Sequence, residues 1–265
     1  MSSQPNLVKA TDGQVWLLHG FKIFKKQPFI WILSLFTYWI AMFLFGLIPV
    51  FGLIFSLIIS PGIAFGFIAL AHAIDKGENP IPKLIISGFI GKHAKSMLLL
   101  GLIYIAAIAF ILLFSISIDK GSLFNTLKIV EFSELTSDSE SESSRIGTIL
   151  AVIIYIPVMM SFWFAPQLVV WNQFSATKAV FYSFFAVWLN KKSFFLYGAT
   201  WLTIILIFVI LMSFLINLFS ESRQIIALTI MPSSLIFLAI AHGSYYSSTK
   251  SVFMNLNKDD NTLID

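Results

Sequence analysis

Four histidines are the first residues to weigh for chemistry, because the chain of 265 residues contains no cysteine. His19, His72, His93 and His242 all fall near the ends of long apolar runs, on one side of them. His72 and His242 stand in matching contexts, FIALAHAID and FLAIAHGSYY, so together they could hold a metal or a lipid phosphate. The commoner role is an interfacial anchor bonded to a nearby carbonyl, and no HExxH or other close ligand spacing supports a metal. No metal and no cofactor is expected. Ser and Thr are plentiful, yet no nucleophile–base pair or phosphate-cradling Gly-rich loop is visible, so no catalytic residues and no enzymatic activity are expected.

Prolines are the second feature. Pro61, Pro157, Pro166 and Pro232 lie within apolar runs. There each removes a helix hydrogen bond and frees a carbonyl. Broken helices in repeat-built membrane proteins can form substrate sites, and Gln167 and Asn172 (with Gln173) could line one. A kink stabilised by packing is the commoner outcome. Gly62 and Gly66, and Ala239 and Gly243, have the small-xxx-small spacing that lets helices approach closely. Intramolecular packing is expected of them.

The elements that must position these residues follow from composition. Hydrophobic residues make up 58% of the chain and charged ones 11%; soluble domains have roughly 45–50% and about 25%. Six runs without Asp, Glu, Lys or Arg are long enough to span a bilayer, which takes about 20 residues. They are 28–50, 51–74, 96–118, 146–173, 193–220 and 224–248. The opening MSSQPNLVKAT lacks the order of a cleavable signal, so the first span is expected to direct insertion. The fold class expected is all-α, a polytopic membrane protein.

Charge orients it. Thirteen of 17 basic residues fall in the terminal segments and even-numbered loops, among them Lys9, Lys76, Lys83, Lys178, Lys250 and Lys258. The other side has Lys120, Lys128, Arg145 and Arg223 with seven acids. Basic residues mark the cytoplasmic side, so both termini are expected there. The acidic, Ser-rich stretch 119–145 lacks apolar periodicity and reads as a flexible external loop, most simply a solvated linker. Scattered basic residues do not make a nucleic-acid-binding module.

Three basic amphipathic segments precede the first, third and fifth spans, at 12–27, 81–95 and 176–192. In the first, Thr11 and Gln14 fit a capping box, and Leu17, Leu18, Phe21 and Phe24 share a face opposite His19, Lys22 and Lys26. In the third, Phe181, Phe184, Phe185 and Trp188 line up. Such helices lie in the headgroup plane. Lys22, Lys25, Lys26, Lys92, Lys95, Lys191 and Lys192 are the expected headgroup contacts, each adding about 1 kcal/mol near an anionic leaflet. Ser60-Pro61, Ala165-Pro166 and Met231-Pro232 recur in alternate spans. The order interfacial helix, span, turn, Pro-containing span therefore reads as a three-fold internal repeat.

GFKIFKKQPFIW, SPGIAFGFIALAHAIDKGENP, FWFAPQLVVW and SFFAVWLNKKSFFLYG resemble an uncharacterised family of six-span proteobacterial inner-membrane proteins. The resemblance covers roughly Gly13 to Val252. A looser similarity extends to the membrane domain attached to some glycerophosphodiester phosphodiesterases, whose catalytic domain is absent here. The resemblance implies a multi-pass protein of the bacterial inner membrane and carries over no catalytic residue.

The residues thus point first to a non-enzymatic membrane protein engaging anionic lipids or a membrane-protein partner. The alternative is a transporter or channel for a neutral or lipidic solute using the Pro-broken helices. A membrane-embedded enzyme would need His72 and His242 to converge. Spans without charge disfavour ion-coupled transport. Oligomeric state is not legible in the sequence.

Overall fold

A computed structural model of the protein describes residues 4–48, 50–119, 142–218 and 223–254. It is all-helical among these residues, with α1 Asp12–Lys26, α2 Pro28–Gly46, α3 Phe51–Asp75, a 3₁₀ helix Pro82–Phe89, and α4 Ala94–Asp119. Then follow α5 Glu142–Trp163, α6 Ala165–Trp171, α7 Ala176–Leu189, α8 Lys191–Leu218 and α9 Arg223–Phe253. Most of the expected external loop, and the turn between the last two spans, lie outside the described residues.

Among the described residues, five stretches are long and apolar enough to cross a membrane: Pro28–Gly46, Phe51–Asp75, Ala94–Ser115, Ile149–Trp171 and Lys191–Leu215. The sixth expected span, 224–248, lies in α9, part of whose N-terminal half falls outside the described side chains. Its last two turns, GSYYSSTKS, are polar, and their side chains bond to neighbouring helices. The expected span 146–173 is two helices, because the chain breaks at Phe164 and restarts at Ala165 with Pro166 in its first turn. Proline is favoured there, since its missing N–H would lack a helical partner anyway.

The other prolines do not break their helices. α3 runs through Pro61, α5 through Pro157 and α9 through Pro232. At Pro61 the freed carbonyl of Leu57 accepts a bond from Ser60 Oγ at 2.9 Å. The second amphipathic segment is not an α-helix over 81–95. Pro80 and Pro82 interrupt the ladder, and Gly91 adopts φ +97°, leaving one 3₁₀ element between them.

Packing concentrates at one end of the bundle. α3 buries most of Pro61 to Ile74 but exposes Leu53, Ile54 and Phe55, whereas α2 buries Trp31, Ser34 and Leu35 and exposes Ile40, Phe43 and Leu44. α8 buries Ser193 and Tyr197 near its start. The densely packed end is the one that carries Lys26, Asp75, Lys191 and Lys250; at the other, apolar side chains project outward. Burying polar residues at one end and exposing apolar ones along the rest is the arrangement lipid demands.

Each short segment lies against a long proline-containing helix. α1 packs on α9, the 3₁₀ helix on α3, and α7 on α5 and α6. Small residues make these approaches possible. A Cβ on Gly20 would sit 2.5 Å from Ser244 N, and one on Gly88 would sit 2.5 Å from Gly62 O. Gly66 meets the backbone of Ile85, and Gly243 that of Gly20. Both small-xxx-small pairs are thus intramolecular contact faces.

On α1 the buried residues are Gly13, Trp16, Leu17, Gly20 and Ile23, while Leu18 and Phe21 are exposed. The apolar face expected from Leu17, Leu18, Phe21 and Phe24 is therefore divided between protein and surroundings. The capping box is not formed. Thr11 makes no capping bond with its side chain, and Asp12 Oδ2 instead accepts from Lys9 N at 2.8 Å.

Candidate functional site

The polar centre of the molecule is Asp75, the last residue of α3. Its Oδ1 accepts from His19 Nε2 and Lys26 Nζ, both at 3.3 Å. Its Oδ2 accepts from Lys250 Nζ at 2.9 Å and Tyr246 Oη at 3.1 Å. Lys26 also donates to the Asp75 carbonyl at 3.1 Å. One carboxylate thus binds α1, α3 and α9 together, with its side chain 11% exposed against 22% for Lys250 and 48% for Lys26. Such a group is held by charge-assisted bonds, the stronger kind.

His72 joins this cluster from the side, its Nδ1 lying 3.0 Å from Tyr246 Oη. The single tyrosine proton is directed to Asp75, so His72 must donate through Nδ1–H. His242 is engaged elsewhere: its Nδ1 donates to the Leu238 carbonyl at 2.8 Å and its ring packs on Phe67 at 4.3 Å. The two histidines therefore serve different partners. Among the described residues no group of three or more His, Asp or Glu could hold a metal ion.

Around this centre the end of α9 is a stripe of hydroxyls bonded from α1, α5, α6 and α8. Trp16 Nε1 donates to Ser251 Oγ at 2.7 Å, Trp163 Nε1 to Ser248 Oγ at 3.1 Å, and Gln167 Nε2 to Thr249 Oγ1 at 3.2 Å. Tyr197 Oη pairs with Ser244 Oγ at 2.7 Å, and His19 Nδ1 faces Ser247 Oγ at 3.1 Å.

Deeper in the bundle lies an open cleft of about 270 Å³. Pro61 and Pro166 are both in its lining, with Ser60, Ala64, Tyr104, Tyr155, Met159, Phe162, Trp163 and Tyr245. Pro157 and Pro232 are exposed elsewhere. Gln167 is buried beside the helix break, donating also to Trp163 O at 3.3 Å, and Asn172 closes α6; neither lines the cleft. The break itself is sealed by Ser183, whose Oγ accepts from Phe164 N and donates to Met160 O, both at 2.8 Å.

The expected headgroup lysines fall into three groups. Lys26 is turned to Asp75, as described. Lys25 lies 5.1 Å from the centre of the Phe21 ring and Lys191 4.6 Å from that of Trp188. Lys22, Lys92, Lys95 and Lys192 are exposed. Lys178, outside the expected set, sits 4.0 Å above Phe174 and 5.4 Å from Tyr182.

A probable inner membrane protein of Burkholderia thailandensis is 32% identical to this chain over 250 residues, covering 93% of the chain and 92% of the relative. The chain belongs to that inner-membrane family. No family model matches it, and no solved structure does. These comparisons do not show the expected link to phosphodiesterase membrane domains.

In the sequence of this family member Asp75 does not stand out, because its position after a charge-free run reads as the start of a loop. Its signal was present. Asp75 closes the FIALAHAID segment, three residues past His72, the spacing that puts both on one helix face.

Proposed function

We propose that this protein is a non-enzymatic component of the bacterial inner membrane that holds anionic lipid headgroups at its basic end. The observation that carries this reading is the outer face of α7. Phe181, Phe185, Trp188 and Leu189 are exposed there, between Lys178 and Lys191, which stand over aromatic rings. Exposed rings suit the acyl boundary, and ammonium groups beside them suit phosphates. A cation over an exposed ring adds about 0.5–1 kcal/mol, enough to hold the ammonium at headgroup level. Lys25 over Phe21 repeats the pattern on α1.

In this reading six helices span the bilayer, α9 being the sixth, with both termini in the cytoplasm. The packing of each short segment on a proline-containing helix supports a three-fold repeat. It also supports a common headgroup-level role for the three segments. A membrane-protein partner would meet the outer half of α8, whose side chains project from the bundle.

Native mass spectrometry of the gently extracted protein tests the reading. The wild type is expected to retain anionic phospholipid, and the triple variant Lys25→Glu, Lys191→Glu, Lys192→Glu to lose most of it. Equal lipid retention in the two proteins would overturn the headgroup role. A reporter placed within 133–144 tests the orientation, with an external signal expected.

The alternative, passage of a neutral or lipidic solute, draws on the cleft that Pro61 and Pro166 share. An embedded enzyme would need His72 and His242 to act together, and they bond to separate partners.

A further inference from the structure

We infer that the cleft between α3 and α5 is a binding site for a single acyl chain. Its depth comes first. Pro61 precedes Asp75 by fourteen residues on α3, and Tyr245 precedes Lys250 by five on α9. At about 1.5 Å per residue the cleft extends from roughly 8 to 21 Å below the charged end. A hydrocarbon core is about 30 Å thick, so the cleft begins in the half nearer the basic surface and reaches past the midplane.

Chemistry selects the occupant. Most of the cleft's polar groups already have partners. Ser60 Oγ donates to Leu57 O, Tyr245 Oη to Trp163 O, and Trp163 Nε1 to Ser248 Oγ. Tyr104 and Tyr155 interact through their hydroxyls. A water would find too few open partners, since it needs two to four. An ion would find no charged side chain among the lining residues. Hydrocarbon needs neither, and it gains dispersion contacts from walls that would otherwise face a void.

The shape fits one chain. Ser60 and Ala64, one helical turn apart on α3, leave the floor open, while Tyr104, Phe162 and Trp163 wall it. Tyr155 and Met159 stand partly exposed at the mouth, next to the exposed Val152 and Ile156. The mouth therefore opens sideways to the surrounding lipid rather than to water. This site is independent of the lysine contacts proposed above, so either can fail alone.

Photolabelling tests it. The full chain is reconstituted in nanodiscs with one of two diazirine-bearing probes, an acyl-labelled phosphatidylglycerol or the corresponding free fatty acid, and adducts are mapped by mass spectrometry. Adducts are expected to concentrate on Tyr155, Met159 and Phe162 over Leu98 and Leu102, which are exposed on α4. Enrichment with the first probe identifies a phospholipid chain, and enrichment with the second a free fatty acid. Ala64→Phe, or the milder Ala64→Leu, should reduce the cleft adducts several-fold and leave those on Leu98 and Leu102 unchanged. Cleft labelling no denser than on Leu98 and Leu102 with both probes overturns the site, as does undiminished labelling in a folded Ala64→Phe protein.

Discussion

Lys250 Nζ stands 2.9 Å from Asp75 Oδ2, joining the end of α9 to the end of α3 across 175 residues of sequence. Asp75 also receives His19 and Lys26 from α1. Three helices far apart in the chain therefore depend on one carboxylate. Its removal leaves Lys250 partly buried beside the uncompensated charge of Lys26. Asp75→Asn is expected to cost about 2 kcal/mol, less than a fully buried pair because both ends keep some solvent. Thermal unfolding in detergent measures it. In a double-mutant cycle with Lys250→Met, the combined loss should be clearly smaller than the two single losses added.

Gly20 is where α1 meets α9. A methyl group there would lie 2.5 Å from Ser244 N and 2.7 Å from Ile240 O, atoms of a helix backbone that cannot swing aside. Gly20→Ala should therefore destabilise by about 1–3 kcal/mol, the usual range for overpacking. Gly198→Ala is the control, because nothing lies within 4 Å of its added carbon. That variant should unfold at or slightly above the wild-type temperature.

The same glycines explain what the sequence could and could not convey. Apolar runs mark the long helices, since lipid admits few alternatives to a helix there. The face that α1 turns to its neighbours was hidden. Gly13 and Gly20 contribute shape but no hydrophobic signal, so periodicity favoured Leu18 and Phe21, which are exposed. The break at Phe164 was foreshadowed by Pro166, but Pro61 and Pro232 looked alike and lie in continuous helices. What separates them is tertiary: Ser183, on another helix, supplies the partners that the opened backbone needs.

Ser183→Ala removes those partners. Phe164 N would then be buried without an acceptor, at a cost of about 1–3 kcal/mol. The effect should be local as well as global. Hydrogen exchange is expected to accelerate at the α5–α6 junction before the rest of the bundle responds. Exchange there at the wild-type rate would mean that the break is held by packing of Pro166 and Phe164 alone.

Asn190, between α7 and α8, fixes the segment that leads into α1. Its Oδ1 accepts from Val8 N at 2.9 Å, while its Nδ2 donates to Asn6 O and Ala186 O, both at 3.0 Å. Ser193 Oγ adds a bond to Lys9 O at 2.9 Å, and Asn6 N donates to Val252 O at 2.8 Å. Asn190→Ala removes the first three bonds at a buried position and should expose residues 6–9 to limited proteolysis. Asn190→Asp keeps an acceptor for Val8 N but places a carboxylate against two carbonyl oxygens, Asn6 O and Ala186 O. Repulsion there should make Asp the more damaging substitution, although it is the closer in shape. The order of cleavage rates, Asp fastest, then Ala, then wild type, decides whether the amide's two donors hold this segment or only its oxygen does.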